Sequence, residues 1–354
     1  MSRFFSEKYA ALTPYTPGEQ PQERKYIKLN TNESPFPPSP LAQRLARQAA
    51  GDLQLYSDPE CAALVKIASE KLNVAADEIL FTNGSDEILN FAFMAFCDAQ
   101  HGAVFPDITY GFYPVFAELN GIPYEEIPLK KDLSVDINDY LGVSKTIFIA
   151  NPNAPTGLAL TRAEIEKIVA SNPDSVVVVD EAYVDFGGES AVELIHRYDN
   201  LLVCQTFSKS RSLAGGRLGF GIGCRELIRD LNTIKYSTNP YNINRMTMAA
   251  GIGALGDEEY FRRNCREIME TRQWTAGQLT ALGFEVTDSK TNFIFARSEQ
   301  IGGRELYLAL KERGVLIRHF DKERIKDYNR ITVGSREQME QFISAVGELL
   351  EEQA

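Results

Sequence analysis

The chain has 354 residues, of which 44% are hydrophobic and 24% charged, with a formal net charge of -12. That length suits two domains, or one large and one small, at roughly 100–200 residues each, and the acidity argues against a nucleic-acid binder, which shows a basic face. No apolar run approaches the ~20 residues of a membrane span, and five scattered cysteines and three separated histidines offer no metal-ligand spacing.

Residues 1–35 are rich in Pro, Glu and Tyr and read as an extended arm ending near Ser34-Pro35-Phe36-Pro37-Pro38. The arm opens with no apolar signal core, so a cytoplasmic protein with reduced thiols is expected. Strands are then predicted over Glu78–Thr82, Ala103–Phe105, Lys145–Ala150, Ser175–Asp180, Asn200–Thr206 and Gly219–Gly223. The continuous run Val176-Val177-Val178-Val179 suits a strand covered on both faces of a parallel sheet. Helices are predicted between strands, at Asp86–Cys97 and Thr161–Ala170, the second with the capping-box pair Thr161 and Glu164. Beyond Pro240 the pattern turns helical through Trp274 to Leu282, then strand-like at Asn292–Ala296 and Ile331–Val333. The expected fold is α/β: a large domain at 36–245 with a mostly parallel, helix-flanked sheet, and a smaller α/β domain at 246–354.

Several stretches could carry chemistry. In Thr206-Phe207-Ser208-Lys209-Ser210-Arg211, running on to Gly215-Gly216-Arg217, a lysine follows a strand among hydroxyls and arginines. Burial or nearby positive charge makes such a lysine nucleophilic, and Ser and Arg can hold a phosphate; the same composition also fits a solvated basic loop. Asp180 ends the valine strand, where open α/β sheets bind ligands; the plainer alternative is that it caps the next element. Thr82-Asn83-Gly84-Ser85-Asp86 places free N–H groups at a helix start, an anion site in principle. Asn151-Pro152-Asn153-Ala154-Pro155-Thr156-Gly157 reads as a rigid turn. Gly251-Ile252-Gly253-Ala254-Leu255-Gly256 matches G-x-G-x-x-G literally, but the preceding residues look helical and the required strand is missing.

Taken together and in this order, these motifs resemble the fold-type-I pyridoxal-phosphate (PLP) aminotransferases, most closely their histidinol-phosphate branch. The resemblance runs from Leu29-Asn30-Thr31-Asn32-Glu33 to Arg330-Ile331-Thr332-Val333-Gly334. It implies PLP as cofactor, an amino donor and a 2-oxo acid as substrates, and a homodimer with shared active sites. Lys209 would attach the cofactor, Asp180 would pair with its ring nitrogen and Tyr183 with its ring hydroxyl, and Tyr110 would stack on the ring. Ser208, Arg217 and the N–H groups at Gly84, Ser85 and Asp86 would hold its phosphate, joined by Tyr56 from the neighbouring subunit. Arg330 would bind the substrate carboxylate, and Arg318, with Tyr15 from the other subunit, the distal anion; Asn32 joins the substrate residues. The family's Asn before Pro-Thr-Gly is replaced by Ala154, which leaves Tyr183 as the main partner of the ring hydroxyl and Asn153 as a possible substitute. Aromatic aminotransferases and threonine-phosphate decarboxylases share most of these motifs, and a non-catalytic PLP-binding protein is the alternative of another class.

Overall fold

The computed structural model describes residues 2–10, 12–21 and 23–353. After a short strand β1 (Ile27–Lys28) come helices α1 (Pro40–Ala49) and α2 (Ala62–Leu72). Strands and helices then alternate: β2 (Ile79–Thr82), α3 (Ser85–Phe96), β3 (Ala103–Pro106), α4 (Phe112–Asn120), β4 (Tyr124–Ile127), β5 (Thr146–Ala150) and α5 (Arg162–Ser171). β6 (Val177–Asp180), β7 (Leu201–Thr206) and β8 (Gly219–Gly223) complete this part. Three helices follow, α6 (Arg225–Thr238), α7 (Arg245–Gly256) and α8 (Glu258–Ala281). The chain ends with β9 (Phe284–Val286), β10 (Phe293–Ser298), α9 (Gly303–Glu312), β11 (Val315–Leu316), β12 (Arg318–His319), β13 (Tyr328–Thr332) and α10 (Arg336–Gln353).

The central sheet has seven strands in the order β2-β8-β7-β6-β5-β3-β4. Strands β3 to β7 run parallel, and β8 lies antiparallel between β7 and β2. Its middle is apolar on both faces. Val177 and Val179 join one core cluster with Ile147, Ile149, Leu201 and Val203, while Val178 joins another with Phe148 and Leu202. That two-sided burial explains the unbroken valine run. β4, carrying Glu125 and Glu126, was not expected from the sequence. It is an exposed edge, and its charges suit that place.

α5 begins as its sequence predicts. Glu164 N donates to Thr161 Oγ1 and Thr161 N donates to Glu164 Oε2, closing the capping box. The G-x-G-x-x-G stretch lies inside α7, as its context implied. Its glycines have a packing role: a Cβ on Gly253 would lie 2.5 Å from Ala42 Cα of α1, and one on Gly256 would lie 3.0 Å from Leu41. The run is the seat of α1 against α7.

A second, antiparallel sheet has the order β12-β13-β10-β9. Its inner face packs with α8, α9 and α10 around Ile294, Ile331, Phe342 and Val346. β1 from the N-terminal segment pairs in parallel with β11. Glu19, further up the same segment, accepts from Tyr307 and Lys311 of α9. The arm thus belongs with the second sheet. Among the described residues no helix is long and apolar enough to cross a membrane.

Candidate active site

Parallel strands end together, so β3, β5, β6 and β7 deliver Pro106, Ala150, Asp180 and Thr206 to one edge of the sheet. The crevice outside such carboxyl ends is where open α/β sheets hold ligands. Here it contains a cavity of about 170 Å³ lined by Asp180, Tyr183, Ser208, Lys209, Tyr110, Ser85, Asp86 and Arg217. A second cavity of about 380 Å³ continues outward, sharing Lys209, Tyr110 and Tyr183 and adding Tyr15, Asn32, Arg318, Phe320 and Arg330. Residues from both sheets therefore meet at Lys209.

Asp180 is buried beneath the inner cavity. Its Oδ1 accepts from Ala182 N and its Oδ2 from the hydroxyl of Tyr113, each at 3.2 Å. Burial pushes its carboxyl up to about 7, against the pull of the Tyr113 hydrogen bond. Tyr113 is the site residue that sequence reasoning missed. It sits in the first turn of α4, fully buried among Phe105 and Phe148, and reads locally as one more core aromatic. The next residue, Glu181, points the other way and is held by Ala191 N, Ser190 and Gln205.

The raised Asp180 value sets a pH dependence in the cofactor-free chain. In the unfolded chain an aspartate ionises near about 4; in the fold it does so near 7. Between those values the folded state holds a proton that the unfolded state lacks. This contribution to stability is therefore full at low pH, falls as pH rises from about 4 to about 7, and is flat above. Denaturant unfolding of the cofactor-free protein at pH 5 and pH 7.5 checks this. Asp180→Asn should lose less stability than the native chain across that interval, and equal losses would contradict it.

Lys209 follows β7 on a turn closed by Leu213 N donating to Phe207 O. Its Nζ reaches Thr31 O at 3.4 Å and lies 5.9 Å from the Tyr183 ring centre. No carboxylate pairs with it among the described residues, so the amine faces the cavity. The hydroxyl of Tyr183 accepts from Asn32 Nδ2 at 2.9 Å. Ser208 Oγ accepts from Thr206 Oγ1, which leaves the Ser208 proton free to face the cavity.

Around Arg217 the structure builds an anion cradle. The first turn of α3, opening at Ser85, has N–H groups without helical acceptors. Arg217 lies across it, and its Nη2 meets Asp86 Oδ2 at 3.1 Å while Tyr110 donates to Asp86 Oδ1 at 2.6 Å. The Asp86 side chain thus aligns the two groups. Gly84 has φ +76°, and a Cβ there would come 2.5 Å from Arg217. Gly219 heads β8 beside this turn, and a Cβ on it would lie 2.6 Å from the Gly84 carbonyl carbon.

Arg318 and Arg330 face each other on paired strands. The Phe320 ring lies 5.6 Å from both guanidiniums. Arg330 donates to Asn30 O at 3.2 Å, but its Nε is buried without a partner. Burial lowers its ordinary value, and Arg318 acts in the same direction. Among the described residues neither arginine has a carboxylate within ion-pair distance. Two adjacent cations with open donors make the outer cavity a site for anions.

Two residues lie elsewhere than the sequence reading suggests. Asn153 is buried in its own turn, where Nδ2 donates to Ile108 O and Thr156 Oγ1 and Oδ1 accepts from Thr109. Its amide is fully used there and lines neither cavity, so it does not replace the Asn lost at Ala154. Tyr15, expected from a second subunit, lines the outer cavity of its own chain and stacks on Phe112 at 4.2 Å. Tyr56 is 79% exposed, stacked on Tyr241 and away from both cavities of its own chain. Of the remaining candidates, Lys209, Asp180, Tyr183, Tyr110, Ser85, Asp86, Ser208, Arg217, Asn32, Arg318 and Arg330 converge on the two cavities, and Gly84 lines neither but precedes Ser85 as the N-cap of α3.

Residues 24–346 match the family model described as aminotransferase class I and II. The chain is 49% identical to the histidinol-phosphate aminotransferase of Brachyspira hyodysenteriae, over 98% of both chains. It is 46% identical to that of Clostridium botulinum strain Kyoto, over 99% of both. Among solved structures, the fold matches a putative histidinol-phosphate aminotransferase from Erwinia carotovora atroseptica, with TM-score 0.86, 26% identity, and 92% and 96% of the two chains covered. It also matches the histidinol-phosphate aminotransferase from Sinorhizobium meliloti in complex with pyridoxal-5'-phosphate, with TM-score 0.90 at 22% identity over 100% and 99%.

Proposed function

The chain belongs to the class I and II aminotransferase family, and from that premise we propose a PLP-dependent transaminase that moves the amino group of histidinol phosphate to 2-oxoglutarate. The observation that carries the choice of substrate is the Arg318–Arg330 pair, two cations with no carboxylate partner among the described residues, at the outer cavity. Histidinol phosphate brings a phosphate and no carboxylate, glutamate brings two carboxylates, and guanidinium forks accept either anion.

The residues present suit the cofactor. A buried carboxylate, an unpaired amine and an anion cradle line one small cavity, which fits a ring nitrogen, an aldehyde and a phosphate. When bound, PLP supplies an electron sink for the pair left as the substrate Cα–H bond breaks. Asp180 would keep the ring nitrogen protonated, since an opposite charge favours the ionised form, and such a cation would in turn favour the Asp180 carboxylate. Lys209, which lines both cavities, would hold the cofactor through its amine, and once released its Nζ would be the base placed to take the Cα proton and give it back as an acid. Tyr183 would bind the ring oxygen, Tyr110 would cover the ring, and Ser208 and Arg217 would hold the phosphate. Arg330 and Arg318 fix the substrate's anions and so aim the Cα–H bond.

The proposal includes a cytoplasmic homodimer in which Tyr56 completes the partner's phosphate site. The exposure of Tyr56 beside Leu53 and Leu55 supports a covered apolar face. It also keeps the domain division at 36–245 and 246–354, with residues 1–35 joined to the second part.

A donor panel tests the reading. With 2-oxoglutarate, histidinol phosphate should give kcat/KM at least about tenfold above phenylalanine and threonine phosphate. Arg318→Gln should lower that value about 10- to 100-fold for the phosphorylated donor while leaving phenylalanine nearly unchanged. Phenylalanine as the best donor would move the chain to the aromatic aminotransferases.

A further inference from the structure

The hydrogen-bond direction at Tyr183 can be read from its neighbours. Asn32 is buried, sits at φ +57°, and joins three segments of the fold. Its backbone N–H donates to Thr332 Oγ1 at 2.9 Å, its Oδ1 accepts from the Thr332 hydroxyl at 3.1 Å, and its Nδ2 donates to Tyr183 at 2.9 Å. Its carbonyl accepts from Asn292 Nδ2. This set gives the Thr332 hydroxyl an acceptor and the Asn32 backbone N–H and side-chain amide each a partner. With the amide reversed, the buried Thr332 hydroxyl would lose its acceptor, and a buried unmade hydrogen bond costs about 1–3 kcal/mol. The orientation of the Asn32 amide is therefore set by Thr332, and the Tyr183 oxygen is the acceptor of that bond. Its own proton must point away, and the cavities lie on that side, with Lys209 on their wall.

We propose that Asn32 is a positioning residue that fixes the Tyr183 hydroxyl as a donor into the cofactor cavity, using its amide on Tyr183 rather than on the substrate. The inference rests on the PLP reading above and deepens it. Its weight in this chain comes from Ala154. A methyl stands where the family places a second donor to the ring oxygen, and the Asn153 amide is used elsewhere. One correctly directed hydroxyl then carries the whole interaction. A free phenol donates or accepts; here the neighbouring amide removes the choice. Thr332 extends the arrangement to β13, two residues from Arg330.

Asn32→Asp tests this with nearly no change in shape. Aspartate tolerates the left-handed backbone almost as asparagine does. Its carboxylate would accept the Tyr183 proton and turn the hydroxyl away from the cavity. The readout is binding to cofactor-free protein, followed by fluorescence quenching, of PLP and of its 3-deoxy analogue, which lacks the ring hydroxyl. The native chain should prefer PLP by about tenfold, the value of one hydrogen bond to a charged acceptor. Asn32→Asp and Tyr183→Phe should each bring the ratio near one, and the double variant should lower it no further. Asn32→Asp with the native ratio overturns the inference. Should that variant lack a cooperative thermal transition, Thr332→Val, which frees the amide to reverse, must lower the ratio; an unchanged ratio overturns it equally. A native chain that binds neither compound sinks the PLP reading itself, whereas tight binding with a preference insensitive to Asn32 sinks only the inference.

Discussion

Lys209→Ala should abolish amino transfer, by roughly four orders of magnitude or more, because on the proposed reading it removes both the attachment amine and the group that moves the Cα proton. Cofactor affinity should survive in part. The anion cradle of Ser208, Arg217 and the α3 turn does not involve the lysine, and Asp180 and Tyr183 keep their own partners. Borohydride treatment of the native, cofactor-loaded protein should fix an adduct on Lys209, and the variant should show none at that position. Undiminished turnover by the variant refutes the assignment, and an adduct at another lysine would relocate it.

Asp180→Asn should lower kcat by about 10²–10³-fold, the range seen when one preorganised electrostatic partner is removed from an active site. The substitution keeps the shape of the side chain and removes the charge that, on the proposed reading, would hold the ring nitrogen protonated. Substrate binding relies on Arg318 and Arg330, at the outer cavity, so KM should change little. That split separates a charge effect from general damage. Unchanged kcat would mean that another group serves as counter-ion, and among the described residues none is buried at that place as Asp180 is.

The sheet was legible because its signals are local. A run of valines buried on both faces, a capping box and glycine-ended strands each declare themselves within a few residues, and the observed boundaries differ from the expected ones by one or two positions. Lys209, Asp180 and the Gly84–Asp86 turn were legible for the same reason, since each stands at the end of a strand. The edge strand at Tyr124–Ile127 was missed because its residues are charged and exposed, with no apolar alternation to mark them. Tyr113 was missed because nothing in its neighbourhood separates a core aromatic from one that meets a carboxylate 67 positions away. Asn32 was read as a substrate contact, yet its amide meets Tyr183 and Thr332, the second 300 positions distant. Periodicity carries no information about such meetings; they arise only when segments far apart in the chain are brought together by the fold. The turn at Asn153 shows the reverse case, where a polar residue next to the site is used up by its own loop.

At Gly219 the main chain of β8 runs hard against the bend that opens α3. An alanine there would drive the bend outward and spoil the grip on an anion, although position 219 offers a ligand nothing at all. Drift in this sequence is thus policed by shape at a chemically silent place. An inventory of natural alleles that inspects only polar residues would pass over a dead copy carrying one extra methyl.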